Sequence, residues 1–187
     1  MKKHFLAVAL FAAFTGFSQE ENPETPAAER KHEIRLDAIE LIADAKLELN
    51  YEYVISKYSG VGGSIAVDLD DEDFNNQQKF AVNGFYRQYF FNKKDFGARG
   101  LFAEGLVQYA TYEFTESFFD EETQTSRFEK DNYGAVGVGF ALGQKWVSNN
   151  GFILELSLGV GRNFGVDDQF EQEYFFRGGI LVGYRFL

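Results

Sequence analysis

Phe175-Phe176-Arg177-Gly178-Gly179-Ile180-Leu181-Val182-Gly183-Tyr184-Arg185-Phe186-Leu187 closes the chain. Phe176, Ile180, Val182, Tyr184 and Phe186 fall on one face, and Arg177, Gly179, Gly183 and Arg185 fall on the other. Two is the side-chain period of a β-strand, so the stretch reads as an amphipathic strand with aromatic residues at its end. The same alternation recurs upstream. Residues 152–161 set Phe152, Leu154, Leu156, Leu158 and Val160 against Glu155, Ser157, Gly159 and Gly161. Residues 135–146 set Val136, Val138, Phe140, Leu142 and Trp146 against Ala135, Gly137, Gly139, Ala141, Gly143 and Lys145. Residues 47–55 set Leu47, Leu49, Tyr51, Tyr53 and Ile55 against Glu48, Asn50 and Glu52, and residues 61–69 set Val61, Gly63, Ile65, Val67 and Leu69 against Gly62, Ser64, Ala66 and Asp68.

Three further segments are less regular. Residues 79–91 are aromatic on both faces, and residues 100–114 place Phe102 and Leu106 on the same side as Glu104 and Gln108. Residues 33–41 change parity near Ile39, which suggests a bulge; a helical reading of residues 34–49 is the alternative. The sequence thus predicts eight strands. The links after the third, fifth and seventh (70–78, 114–132, 165–174) are long, and those after the second, fourth and sixth (56–60, 92–99, 147–151) are short. Outer-membrane barrels pair long external loops with short periplasmic turns. The link after the first strand, 43–46, breaks the rule because it is short.

The N-terminus adds an address. Lys2 and Lys3 precede an apolar run over residues 5–14, with small residues at Gly16 and Ser18. That is the layout of a secretory signal peptide over residues 1–18, cleaved after Ser18 and too short in its apolar core to span a membrane. Residues 19–31 (QEENPETPAAERK) hold both prolines and read as a flexible periplasmic leader. Residues 32–187 are then one domain.

Composition narrows the class. The net charge is −11, or about −13 without Lys2 and Lys3, so a nucleic-acid partner is excluded on electrostatic grounds. Aromatic residues make up 18% of the chain and cysteine is absent, which excludes a disulfide framework. After the export segment His32 is the remaining histidine, so Ser-His-Asp and Cys-His catalysis and zinc sites built on His and Cys are not expected. No catalytic residue and no cofactor is expected. Gly134-Ala135-Val136-Gly137-Val138-Gly139 superficially matches a phosphate-binding loop, but its glycines recur every second residue inside a strand. A narrow barrel needs small residues on its inner wall, and that explains them.

The remaining polar residues of the strands define the candidate site. Glu52, Arg87, Glu104, Lys145, Glu155, Arg177 and Arg185 fall on the expected interior, where they form either a structural ion network that plugs the lumen or a gate. Tyr53, Phe90, Trp146, Phe152, Tyr184 and Phe186 form an expected periplasmic aromatic girdle, and Tyr112, Tyr133, Phe164 and Phe176 an outer one. Acidic clusters at Asp68, Asp70, Asp71, Glu72 and Asp73, at Asp120, Glu121 and Glu122, and at Asp167, Asp168, Glu171 and Glu173 are candidates for weak divalent-cation binding.

With these residues in place, the chain resembles small eight-stranded outer-membrane barrels such as the transmembrane domain of OmpA-like proteins. It is also similar to a family of short exported barrels, through Gly84-Phe85-Tyr86-Arg87-Gln88-Tyr89-Phe90, Gly100-Leu101-Phe102-Ala103-Glu104-Gly105 and Asn50-Tyr51-Glu52. The resemblance spans residues 32–187 and implies no reaction. It departs from the usual aromatic terminus of barrel-insertion signals, since Leu187 follows Phe186. The expectation is an all-β fold: an eight-stranded antiparallel up-and-down transmembrane β-barrel in the outer membrane, non-catalytic, with outer-membrane lipid and the barrel-assembly machinery as partners. The alternatives are a narrow channel or transporter for a small or hydrophobic solute, and a soluble periplasmic lipocalin-like barrel. The last requires an apolar interior and a polar exterior.

Overall fold

A computed structural model describes residues 30–43, 45–69, 77–90, 97–120, 125–165 and 173–187; for residues 77 and 114–131 the description is of backbone. The export segment, most of the leader and most of the acidic loop residues lie outside this set. The chain forms a closed barrel in which each strand pairs with the next and β8 returns to β1. The strands are β1 (His32–Asp37), β2 (Lys46–Ser56), β3 (Ser59–Asp68), β4 (Gln77–Phe90), β5 (Gly100–Asp120), β6 (Thr125–Val147), β7 (Phe152–Phe164) and β8 (Tyr174–Phe186), with a short helix α1 (Ala38–Ala43) between β1 and β2. Every pairing is antiparallel. Closure removes the free edges that an open sheet of such apolar strands would expose.

The sheet is reversed relative to a soluble protein. Leu49, Ile65, Val82, Val107, Val138, Phe140, Leu142, Leu156 and Val160 point outward and are exposed. The fully buried side chains include Arg35, Arg87, Arg185, Lys145, Glu33, Glu52 and Glu155. An apolar exterior around a charged interior is the opposite of a lipocalin-like arrangement.

Glycine and large inward side chains alternate across neighbouring strands. A Cβ at Gly62 would stand 2.6 Å from the Phe85 ring, and one at Gly183 would stand 2.7 Å from Arg35 Cγ. Gly143 lies beneath Phe102, and Gly137, Gly139 and Gly161 lie beneath Phe175. The glycines therefore make the room that the interior side chains fill, as a narrow barrel requires.

Four expectations need correction. The irregular first segment is not a bulged strand: β1 ends at Asp37 and α1 follows, which accounts for the parity change at Ile39. Asp37 caps that helix, its Oδ1 accepting from the amides of Ile39 (2.9 Å) and Glu40 (3.0 Å). The first link is accordingly residues 38–45 rather than 43–46. The fifth link is far shorter than 114–132, because β5 and β6 continue as a hairpin from Phe114↔Asp131 to Asp120↔Thr125. Among the described residues β4 pairs with β5 as far as Gln77↔Glu113 and β7 with β6 as far as Val136↔Phe164, and the hairpin ladder runs beyond both. Finally, Tyr112 and Tyr133 do not join an outer girdle. They share the inward parity of Gln108 and Ala135 and stack on each other with ring centroids 5.4 Å apart.

Candidate functional site: the interior charge network

Strand alternation delivers charged side chains from seven of the eight strands into the lumen. β1 supplies Glu33 and Arg35, β2 supplies Glu48 and Glu52, β4 Arg87, β5 Glu104, β6 Lys145, β7 Glu155, and β8 Arg177 and Arg185. All seven residues singled out from the sequence lie inward, and they meet.

Glu52 sits at the centre. Its Oε2 accepts from Arg35 (2.8 Å), Arg87 (3.0 Å) and Lys145 (3.1 Å), and its Oε1 accepts from the Tyr89 hydroxyl (2.6 Å). Glu155 Oε2 is a second bridge, accepting from Arg35 and Arg87 at 2.9 Å each. Glu33 gathers Lys145 (2.8 Å), Arg35 (3.0 Å) and Arg185 Nε (2.7 Å). Glu104 joins Arg87 to Arg177, and Arg177 reaches Glu48 and Asn50 at 2.8 Å each. The result is one continuous network of five cations and five carboxylates, with no net charge. Removing such charges from water is costly, and multiple short contacts are what offset that cost.

Aromatic rings complete the shell. The Arg87 guanidinium lies between Phe85 (4.6 Å to the ring centroid) and Phe102 (4.4 Å), and Lys145 Nζ lies 4.6 Å from the Tyr89 ring. This explains why β4 and β5 carry aromatics on the interior face. They clamp cations and do not face the outside.

At the end of the barrel that holds Leu187, backbone carbonyls meet the interior charges. Arg185 NH1 donates to Gly97 O (3.0 Å) and NH2 to Ala98 O (2.9 Å), while the Ala98 amide donates to Lys57 O (2.9 Å). Ala98 is fully buried and packs with Val54, Tyr89 and Phe102. Residues 97–98, just before β5, thus lie inward at this end of the barrel. The expected girdle residues lie around this same end. Phe90, Trp146 and Phe152 are exposed, whereas Tyr53 and Phe186 pack on His32 at centroid distances of 5.2 and 5.9 Å, and Tyr184 packs beneath Arg30.

Three members were absent from the sequence-derived set: Glu33, Arg35 and Glu48. Their signal is visible. Glu33, Arg35 and Asp37 alternate with Ile34 and Leu36, but the parity break farther along hid it. Glu48 shares the inward face of Glu52. Among the described residues, no cluster of ligating side chains has the make-up of a metal site.

No family model matches the chain, and no curated protein matches it. Among solved structures it is similar to the N-terminal β-barrel domain of OprF from Pseudomonas aeruginosa, at 14% identity, with 87% of this chain and 100% of that one covered and a TM-score of 0.46.

Proposed function

We propose that the protein is an integral outer-membrane β-barrel with a structural or surface-interaction role, non-catalytic, its lumen plugged by the interior charge network. One observation carries the reading: exposed Leu, Ile, Val and Phe side chains run right round the barrel, while ten charged residues of its strands converge inside. Soluble monomers rarely expose apolar patches beyond a few hundred Å². In a bilayer the same surface is in its preferred solvent, and the closed sheet satisfies its backbone internally. Phe90, Trp146 and Phe152 near one end supply the rings that favour a membrane–water interface. An export signal over residues 1–18 would bring the chain to the barrel-assembly machinery, and outer-membrane lipid is its first partner. Acidic residues such as Asp68 would lie at the loop end, where weak divalent-cation binding is a further expectation.

The plug reading rests on two barriers in series, the ion network and the inward-lying backbone of Gly97 and Ala98. Cell fractionation combined with heat-modifiability tests the membrane assignment. An outer-membrane protein whose gel mobility shifts on boiling is the expected result; a soluble periplasmic protein without a shift would overturn it. The alternative, a narrow channel, predicts stable single-channel steps in planar bilayers from the unmodified protein.

A further inference from the structure

The two ends of the barrel differ in charge. The links after β3, β5 and β7 meet at one end, and by sequence they hold the three acidic clusters. The other end holds Leu187, and its described residues carry cations. Lys31 stands before β1, its amide donating to Leu187 O. Lys57 lies in the β2–β3 turn, its carbonyl accepting from the Ala98 amide (2.9 Å). Arg99 stands before β5, and its NH1 donates to Val147 O at the end of β6 (3.3 Å). Arg30 reaches Asn150 O in the β6–β7 turn (3.0 Å). Residues 30–32, 56–59, 97–99 and 148–151, which build this end, contain no Asp or Glu.

These cations are spread round the rim. They stand at β1, the β2–β3 turn, the start of β5 and the β6–β7 turn. Lys31 is exposed, and Lys57 and Arg99 are half-exposed. Ile55, Tyr58, Phe90, Trp146 and Phe152 are exposed on the outer wall at the same end. The Lys57 ammonium lies 5.8 Å from the Tyr58 ring centroid. Such rings settle where hydrocarbon gives way to head groups. The basic rim therefore stands at head-group depth. A protein docking from one side would meet a one-sided patch. A ring of charge at that depth fits a partner that surrounds the barrel, which is the leaflet itself.

We propose that this rim binds the phosphodiester head groups of anionic glycerophospholipids in the leaflet at the Leu187 end. The inference rests on the membrane reading above and names the lipid class. Ammonium and guanidinium groups donate charge-assisted hydrogen bonds to phosphate oxygens. Every phospholipid offers that phosphate, but a zwitterionic head group brings its own cation and loses the net attraction. An anionic head group keeps it, as at other clusters of Lys and Arg beside a membrane.

Trp146 supplies the reporter, because it is the single tryptophan of the chain and faces outward at this end. The full chain is folded into phosphatidylcholine vesicles with rising fractions of phosphatidylglycerol brominated on its acyl chains. Brominated phosphatidylcholine is the control, and quenching of Trp146 is followed. Phosphatidylglycerol should associate about threefold more tightly or better. The preference should fall toward unity at high salt, because the rim charges are exposed. Lys57→Gln combined with Arg99→Gln should remove most of it, and Lys57→Arg combined with Arg99→Lys should keep it. Equal quenching by the two lipids, or a preference that the glutamine variant retains, would overturn the proposal. If the glutamine variant does not fold, the salt titration of the unmodified protein decides, and a preference that survives high salt overturns it. Absence of quenching by either lipid would instead overturn the membrane reading, so the two failures are distinguishable.

Discussion

At the scale of single residues, Glu52 and Arg87 are the groups on which most of the interior depends. Arg87 contacts Glu52, Glu104 and Glu155. Arg87→Ala leaves these carboxylates short of a cation in a sealed space, and deleting one partner of a buried ion pair typically costs about 3–5 kcal/mol. Urea unfolding in lipid vesicles should report a loss of that order, and an unchanged midpoint would mean that the network adds nothing to stability. Gly143→Val tests the paving. The branched side chain would collide with the Phe102 ring, one of the two that clamp Arg87. Overpacking of this kind costs about 1–3 kcal/mol, and Gly143→Val combined with Phe102→Leu should recover part of it in the same assay. Lys145 and Glu155 were legible in the sequence because each stands alone among apolar or small neighbours on an alternating strand. Tyr112 was not, because a ring near a strand end fits a girdle and an inner wall equally well until its parity is followed from Gln108.

At the scale of elements, α1 is the irregular part of the wall. Asp37 holds its first turn, and a Cβ on Gly179 would collide with the Asp37 carboxylate. Asp37→Ala removes the cap at a cost of about 1 kcal/mol, while Asp37→Asn keeps most of it. Amide hydrogen exchange of residues 39–43 should quicken in the first variant and stay near the parent rate in the second; equal rates would show that packing alone orders the helix. The order Asp37-Ala38-Ile39-Glu40 is a capping signature, an acidic N-cap with glutamate three residues on. It was readable, but the alternation of the preceding residues masked it. The β5–β6 hairpin escaped for the opposite reason. Residues 114–131 are rich in Glu, Asp, Ser and Thr, which reads as loop, yet the backbone continues the ladder begun by the apolar residues below.

At the scale of the whole molecule, the barrel is a closed wall around a filled space. On the proposed plugged reading, the barriers are the ion pairs across its middle and Ala98 at the terminus end. Vesicles loaded with a small fluorescent anion should therefore retain it when the protein is inserted. Combined removal of Arg87 and Arg185 should raise leakage severalfold, since Arg185 also anchors the β4–β5 link. Tight vesicles with that double variant would place the barrier elsewhere. The eight-strand barrel was legible from strand alternation and the alternating lengths of the links. The meeting of all ten charges in one network was not, because alternation gives the face a residue occupies but not its height in the barrel.

The balance of that network has a consequence for how the chain finds its register. Each of seven strands brings at least one charge, and Arg35 of β1 must reach Glu155 of β7, which are distant in sequence and neighbours only through β8. A strand that slipped by one residue would turn its charge to the outer face and its leucine to the lumen. Hairpins formed early leave carboxylates and guanidinium groups waiting for strands that have not arrived. The full set of ion pairs can be met only in the closed, correctly aligned barrel, and a misaligned one would keep unmatched charges.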